Sequence, residues 1–339
     1  MLRTVARIIL ASSLAASWLA GDAHAQSPQK LKIAEVVRSQ LFAPMYVAMS
    51  EGFMKEQDID VELVTAIGGD RVGALILSGQ ADVGLAGPEV AIYLYNSEAP
   101  DKPVMFCSVN GTDGFFFVSR EKLEPFDWSR LRNRKIIGWR PGSTPQMFFE
   151  YVLRQKGVDA ETIKSIVTNI PPPAREGAWM SGNGDFGIFN EPGTSNLEKA
   201  GQVHVLASIG KEVGRAENTV FFANRSWFGK NRDQAQRLTT AIAKAQAWMK
   251  ANSDERIAAA IAPYFPGVPL ETHVAIMKRY RGTGAAIWSE STLVDRGGLA
   301  KLQEVMIAGG VLAPDKTVAY EAIVASDVAL KAQQSLAPK

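Results

Sequence analysis

Ser78–Tyr95, SGQADVGLAGPEVAIYLY, contains the features that decide the fold. The small residues of Asp82–Gly87 predict a slim buried strand, and an apolar helix then begins at Pro88. Proline suits the first helical position, where a missing N–H costs nothing, and Glu89 suits the positive end of the helix dipole. Gly87 lets a ligand approach the backbone closely because it has no side chain. The stretch therefore predicts a strand–turn–helix unit whose turn borders a cleft.

The same alternation of strand and helix surrounds this unit. Strand-like runs begin at Leu31, Ile59 and Pro103. Helical runs begin near Pro44 and near Asp70, which we predict to cap its helix. Strands that alternate with helices through short turns indicate an α/β protein with a parallel, doubly wound sheet.

The pattern restarts after residue 113, which indicates a second α/β unit. The strand-like runs there are GFFFVS, KIIGWR, SIVTNI, DFGIFNEP and VHVLASIG, and TVFFANRSWF (Thr219–Phe228) is predicted to carry the chain back. With 339 residues, the chain exceeds the size at which one core stops growing, about 250–300 residues. We therefore predict two doubly wound lobes joined by a two-segment hinge near Asn110–Gly114 and Glu212–Thr219. Lobe 1 comprises residues 26–112 and, as return strand and C-terminal helices, 219–339; lobe 2 comprises 113–218.

The N-terminus has the three parts of a secretory signal peptide. Arg3 and Arg7 form a basic segment, and Ile8–Leu19 is an apolar run too short to span a bilayer comfortably. Ala23-His24-Ala25 then supplies the small-x-small cleavage pattern. We expect residues 1–25 to be removed after Ala25 and the remainder to be a soluble periplasmic protein.

The composition argues against several functions. The chain has 37 Lys and Arg against 35 Asp and Glu, which is not the basic excess of a nucleic-acid-binding protein. Cys107 is the only cysteine, and its apolar run VMFCSV predicts a buried hydrophobic residue rather than a nucleophile. The sequence has no cluster of metal-ligating residues, so we predict no metal and no cofactor, and we expect a monomer that binds a small molecule and no nucleic acid.

The turns that follow the strands are the predicted binding site, because ligands of open parallel sheets lie beyond the carboxyl ends of the strands. We expect these turns to converge on one cleft between the lobes. They are 38–43, 66–70, 86–89, 139–144, 169–173 and 190–193.

In lobe 2, Ser143 and Thr144 precede a helix, and Gln146 would complete a capping box with Ser143. Ordinary capping explains both hydroxyl groups, and an oxyanion held by the free N–H groups explains them equally well. Trp139 and Arg140 lie just before this turn, where the arginine either pairs with an anionic group or is solvated.

Asn190 and Glu191 are predicted to face Gly87-Pro88-Glu89 across the cleft. Glu191 could bind an amine, amide or ring N–H of a ligand, or it could simply stabilise the start of a helix. In lobe 1, the loop residues Ser39, Gln40 and Phe42 and the helical Tyr46 are further candidates, with Tyr46 alternatively a core residue.

Two segments resemble a known family: FAPMYVAMSEGFMKEQDIDVEL (Phe42–Leu63) and SGQADVGLAGPE (Ser78–Glu89). They are similar to exported substrate-binding proteins of ABC importers, in the NMT1/THI5-like group that handles nitrate, sulfonates, taurine and pyrimidine precursors of thiamine. The shared pattern is Pro44-x-Tyr46-Val47-Ala48, Gly52-Phe53, Ile59-Asp60-Val61-Glu62 and Leu77-x-Gly79-x-Ala81-Asp82-x-Gly84. The resemblance implies a type II periplasmic-binding-protein fold, an extracytoplasmic location, and an ABC permease with its ATPase as partners.

The resemblance leaves the ligand open among sulfonate, nitrate, pyrimidine and related organic compounds. The thiamine-precursor branch usually has an aromatic and Asn-rich stretch where this chain has Arg38–Phe42. A yeast-type pyrimidine synthase would need a histidine donor and a cysteine-rich iron site, whereas His204, His273 and Cys107 are what remains after signal cleavage. We therefore predict a non-catalytic solute receptor. The alternatives are a hydrolase or deaminase on the same fold, and a ligand sensor that is not coupled to transport.

Overall fold

The computed structural model describes residues 29–336, so the predicted signal peptide and its cleavage site lie outside the described residues. The strands are β1 Gln29–Glu35, β2 Ile59–Thr65, β3 Val83–Ala86, β4 Pro103–Asn110, β5 Phe116–Ser119, β6 Lys135–Ile137, β7 Ser165–Val167, β8 Phe186–Phe189, β9 His204–Ser208 and β10 Thr219–Asn224. The helices of the first half are α1 Ala43–Ser50, α2 Gly69–Leu77, α3 Pro88–Asn96, α4 Thr144–Gln155 and α5 Arg175–Met180. Those that follow are α6 Gly193–Lys199, α7 Ile209–Val213, α8 Arg225–Lys230, α9 Arg232–Ala251, α10 Asp254–Ile261, α11 Leu270–Gly282, α12 Arg296–Ala308, α13 Tyr320–Ile323 and α14 Ser326–Leu336.

The strands form two five-stranded sheets, which confirms the predicted α/β architecture of two lobes. The first sheet has the order β2-β1-β3-β10-β4 and the second has the order β7-β6-β8-β5-β9. Both sheets are mixed rather than parallel, because β10 runs antiparallel to β3 and β4, and β5 runs antiparallel to β8 and β9. Each of these two strands arrives from the other sheet instead of through a crossover helix of its own sheet, so it enters from the opposite end.

The chain crosses between the sheets twice, between β4 and β5 and between β9 and β10. The two crossing segments are hydrogen-bonded to each other: the Ala216 N–H donates to the Gly111 carbonyl at 3.0 Å, and the Asn218 N–H donates to the Asn110 carbonyl at 3.0 Å. Two paired crossing segments of this kind suit the predicted two-segment hinge.

Aromatic side chains fill the core of the second lobe around Phe117, on β5. Its ring lies 5.3 Å from that of Phe149 and 5.6 Å from that of Phe186, centroid to centroid, and both pairs are stacked. In the first lobe, Cys107 is fully buried in β4, as predicted, and burial raises the pKa of its thiol well above the ordinary value. Within residues 29–336, no helix has both the length and the apolar character needed to cross a bilayer.

Candidate functional site

A cavity of about 760 Å³ lies between the two lobes, at the carboxyl ends of the strands. Turns from both sheets form its walls, as the sequence predicts for the cleft. Of the predicted ligand-binding residues, the structure brings eight to this wall: Ser39, Phe42, Gly87, Glu89, Trp139, Arg140, Ser143 and Thr144. Most of the remaining wall is aliphatic or aromatic, so the cavity suits a ligand with an apolar body.

Glu89 and Thr144 meet across the cavity, although they belong to different lobes. One carboxylate oxygen of Glu89 accepts a hydrogen bond from the Thr144 backbone N–H at 3.2 Å. Burial raises the pKa of the Glu89 carboxyl, and its contacts with Thr144 and with its own backbone N–H partly oppose that shift. The turn Gly87-Pro88-Glu89 therefore faces Ser143-Thr144, not Asn190-Glu191 as predicted.

Trp139 forms an aromatic wall of the cavity together with Phe115, whose ring packs edge-on at a centroid distance of 5.0 Å. On the indole, the Arg175 guanidinium lies 3.9 Å from the ring centroid. Arg175 is buried, and burial lowers the pKa of its guanidinium to about 9. The arginine holds the indole in place, a role that the sequence does not reveal because 36 residues separate the two positions.

Arg140 bridges the two lobes at the cavity wall. Its guanidinium contacts the Asp70 carboxylate at 2.8 Å and donates to the Ile67 carbonyl at 2.8 Å. Ile67 has a φ of 59°, a left-handed conformation that is unfavourable for a β-branched residue. Asp70 lies within the first turn of α2, where Gly68 is the residue before the helix, so the predicted cap is wrong. The Asp70 side chain reaches across the cleft to the other lobe.

The predicted capping box at α4 is also wrong. The Ser143 hydroxyl donates to the Arg140 carbonyl rather than capping the helix. The Gln146 amide oxygen accepts from the Trp139 N–H at 2.7 Å, so its side chain fixes the preceding turn. Thr144 and its neighbours are therefore positioned by the turn itself, and the Thr144 N–H is free to bind Glu89.

The other predicted residues lie outside the cavity wall. Tyr46 is fully buried and donates to Glu35 at 2.5 Å, which places it in the core, the alternative given by the sequence. Gln40 is fully buried in the turn that precedes α1, and Pro88 is buried in the first turn of α3. Asn190 lies beside Ser39, with its amide nitrogen 3.4 Å from the hydroxyl oxygen.

Glu191 is fully buried in a polar cluster of its own. Its carboxylate accepts from the Arg279 guanidinium at 2.8 Å, from the Ser195 N–H at 2.9 Å and from the Ser195 hydroxyl at 3.0 Å. Burial raises the pKa of Glu191, while Arg279 and Ser195 oppose the shift. These contacts satisfy the carboxylate without a ligand.

Tyr93, which the sequence analysis did not select, also joins the lobes at the cavity wall. Its hydroxyl donates to the Gly142 carbonyl at 2.8 Å. Tyr93 lies on α3, five residues after Pro88. Because α3 borders the cleft, this position could have indicated that Tyr93 lies at the cavity. Within the described residues, no group of three or more His, Cys, Asp or Glu side chains is placed to bind a metal ion.

Replacing Tyr93 with phenylalanine should weaken ligand binding about two- to tenfold, because one hydrogen bond between the lobes, worth about 0.5–1.5 kcal/mol, is lost on closure. Calorimetry on the variant measures the change. Tyr95→Phe on the same helix is the matched control, since its hydroxyl makes no hydrogen bond among residues 29–336. Equal affinities for the two variants would show that the Tyr93–Gly142 contact does not stabilise the ligand-bound state.

Comparison with known proteins identifies relatives along most of the chain. The profile of the family described as "NMT1/THI5 like" matches residues 39–256. The "Putative binding protein YtlA" of Bacillus subtilis (strain 168) is 35% identical over 313 residues, which cover 92% of this chain and 92% of YtlA.

Solved structures with the same fold include two binding proteins. The alkanesulfonate-binding protein SsuA from Xanthomonas axonopodis pv. citri, bound to MOPS, superposes with a TM-score of 0.70 at 16% identity, covering 89% of this chain and 100% of that chain. The periplasmic nitrate-binding protein NrtA from Synechocystis PCC 6803 has a TM-score of 0.70 at 18% identity, covering 91% of this chain and 89% of that chain. The predicted type II periplasmic-binding-protein fold is thus confirmed.

Proposed function

This chain belongs to the NMT1/THI5-like family, and on that premise we propose that it is a solute receptor that closes two lobes on a small ligand and delivers it to an ABC importer. The observation that carries this proposal is the cavity between the sheets, with walls from both lobes. Neither lobe alone surrounds the cavity, so ligand contacts with both lobes would stabilise the closed arrangement.

We place the receptor outside the cytoplasm, in the periplasm, with an ABC permease and its ATPase as partners. The basic segment, apolar run and small-x-small motif that precede Gln26 support export. Proteins with the same fold include a nitrate-binding and an alkanesulfonate-binding protein, which supports small solutes as cargo. We expect the mature protein to act as a monomer.

The proposed lobes are residues 26–112 with 219–339, and residues 113–218. Sheet membership supports these boundaries, because β1–β4 and β10 pair with one another and β5–β9 pair with one another. The polar contacts between Arg140 and Asp70, and between Tyr93 and Gly142, would then form on closure.

We propose binding without catalysis. Cys107 lies fully buried in β4, and the described residues that line the cavity include no cysteine or histidine. Two acids line the cavity, Asp70 and Glu89; Asp70 is paired with Arg140, and the described lining residues include no histidine that could activate the Thr144 hydroxyl beside Glu89 as in a catalytic triad. The cavity therefore has the features of a binding site.

Ligand-driven closure is the test of this function. Saturating ligand should decrease the radius of gyration in solution scattering and raise the melting temperature together. At a ligand concentration of 100 times Kd, the stabilisation should be about 2.7 kcal/mol. Candidate ligands can be found by native mass spectrometry of the exported protein. Identical scattering curves with and without bound ligand would contradict closure, and a ligand recovered with altered mass would indicate an enzyme.

A further inference from the structure

The helices that begin at the cavity include α2, α3 and α4, and the two that flank Glu89, α3 and α4, have few N–H groups to offer. In α3 the first residue is Pro88, and in α4 the second residue is Pro145, so neither position has an N–H. The Thr144 N–H at the start of α4 is already bound by a carboxylate oxygen of Glu89. The protein's own acid thus occupies the place where a helix N-terminus would hold an anion.

The same glutamate has an unused oxygen at the cavity wall. Glu89 is 6% exposed, and its Oε2 has no hydrogen-bond partner among the described residues. The Thr144 hydroxyl, on a residue that is 3% exposed, is also without a partner among the described residues. Both atoms flank Gly87: a Cβ there would lie 1.9 Å from Glu89 Oε2 and 2.4 Å from Thr144 Oγ1. A buried carboxylate oxygen that accepts no hydrogen bond is energetically unfavourable. A donor group on the ligand would supply the hydrogen bond that Glu89 Oε2 lacks.

We propose that Glu89 and Thr144 select a ligand that presents N–H donors, either a cation or a neutral nitrogen compound, and that they exclude anions such as nitrate and sulfonates. This inference rests on the proposed function and narrows its ligand class. The ligand's N–H group would bind Glu89 Oε2, and its body would be a flat apolar group against Trp139, Phe42 and Phe115, which line the same cavity.

The neighbouring positive charges do not reverse this preference. Arg140 is paired with the Asp70 carboxylate and with the Ile67 carbonyl. Arg175 lies against the Trp139 ring and is not part of the cavity wall, so a ligand does not reach its guanidinium directly. Among the described residues that line the cavity, the one cation is Arg140, which is already paired, so an anion at the Gly87 turn would face the Glu89 charge.

Three probes that share one ring test the proposal: benzamidine, benzoate and benzenesulfonate, each titrated into the full mature chain, with nitrate as a fourth. Benzamidine should raise the melting temperature, and the anions should not. In Glu89→Gln, the Kd for benzamidine should rise about tenfold to a hundredfold, because a charge-assisted hydrogen bond is lost. Glu98→Gln, the same change at an exposed position just beyond α3, should bind benzamidine as the wild type does.

Several outcomes would overturn the inference: stabilisation by benzoate, benzenesulfonate or nitrate, no stabilisation by benzamidine, or equal benzamidine affinity in Glu89→Gln and wild type. The comparison among probes uses the wild-type chain, so it stands even if the variant does not fold. An anion that closes the lobes in scattering would overturn this ligand class and leave the receptor function intact. A probe that is chemically converted would contradict the receptor function itself.

Discussion

Replacing Gly87 with valine should prevent ligand-driven closure while both sheets stay folded. Gly87 has a φ of −62° and a ψ of 145°, which any residue adopts, so the substitution does not strain the backbone. The effect is steric: a Cβ would lie 1.9 Å from Glu89 Oε2 and 2.4 Å from Thr144 Oγ1, closer than real contacts. Valine would push the Glu89 side chain and the α4 turn of the other lobe away from each other. Overpacking of this kind costs up to about 3 kcal/mol, which corresponds to about a hundredfold loss of affinity.

Calorimetry and solution scattering on the Gly87→Val protein measure both parts of this expectation. Its circular dichroism should match that of the wild type, because the crowded atoms are side-chain atoms at the cavity. Gly177→Val is the matched control, since a Cβ at Gly177 has no atom within 4 Å and the residue is exposed on α5. Wild-type affinity and normal closure in Gly87→Val would mean that the ligand and the lobes meet elsewhere.

Local sequence features predict the fold and the position of the cleft well. The run of small residues before Gly87, and Pro88 after it, specify a buried strand and a helix start without reference to the rest of the chain. The structure has β3 at Val83–Ala86 and α3 beginning at Pro88. Each such unit places its turn at the same edge of a sheet, so eight of the predicted residues reach one cavity.

The side-chain contacts between the lobes could not be predicted from the sequence. Glu89 and Thr144 are 55 residues apart, and Tyr93 and Gly142 are 49 residues apart. Their pairing depends on the angle at which the two sheets meet, which is decided by the crossing segments and the packing around them. The sequence therefore left capping and an oxyanion as equal explanations of Ser143 and Thr144, whereas in the structure the Ser143 hydroxyl donates to the Arg140 carbonyl and the Thr144 backbone N–H donates to Glu89 of the other lobe.

The direction of β5 and β10 was missed for a related reason. The composition of a β-rich segment such as Thr219–Asn224 does not indicate whether the strand runs parallel or antiparallel to its neighbours. That direction depends on where the preceding element ends. Glu191 accepts two hydrogen bonds from Ser195 in the first turn of α6, which is the helix-start alternative given by the sequence, but its other partner, Arg279, is 88 residues away on α11 and was not predicted. An acidic residue that follows a strand suggests a ligand site as long as the residue that pairs with it in the folded chain is unknown.

Replacing Glu191 with alanine should therefore destabilise the fold rather than only weaken ligand binding. The fully buried carboxylate accepts three hydrogen bonds, one from Arg279 and two from Ser195. Removing one member of a buried pair leaves its partners unsatisfied, and such changes cost about 3–5 kcal/mol. We expect a loss of about 3 kcal/mol, at the lower end, because Arg279 keeps Glu198 as a second partner. Chemical denaturation, read as a lower midpoint with an unchanged slope, measures it.

Glu198→Ala distinguishes the stability that comes from the buried Arg279–Glu191 contact from that of the exposed Arg279–Glu198 contact. It removes the other carboxylate from the same arginine, but the Glu198 side chain is 42% exposed, so the cost should be below about 1 kcal/mol. If Glu191→Ala were as stable as Glu198→Ala yet failed to bind ligand, Glu191 would be a binding residue and its bonds to Ser195 incidental. If it lost stability and kept its affinity under conditions where it is folded, the recognition of the ligand would depend on the wall formed by Gly87, Glu89 and Thr144. That result would also assign the Glu191–Arg279 pair a structural role, that of fixing α11 against the second lobe.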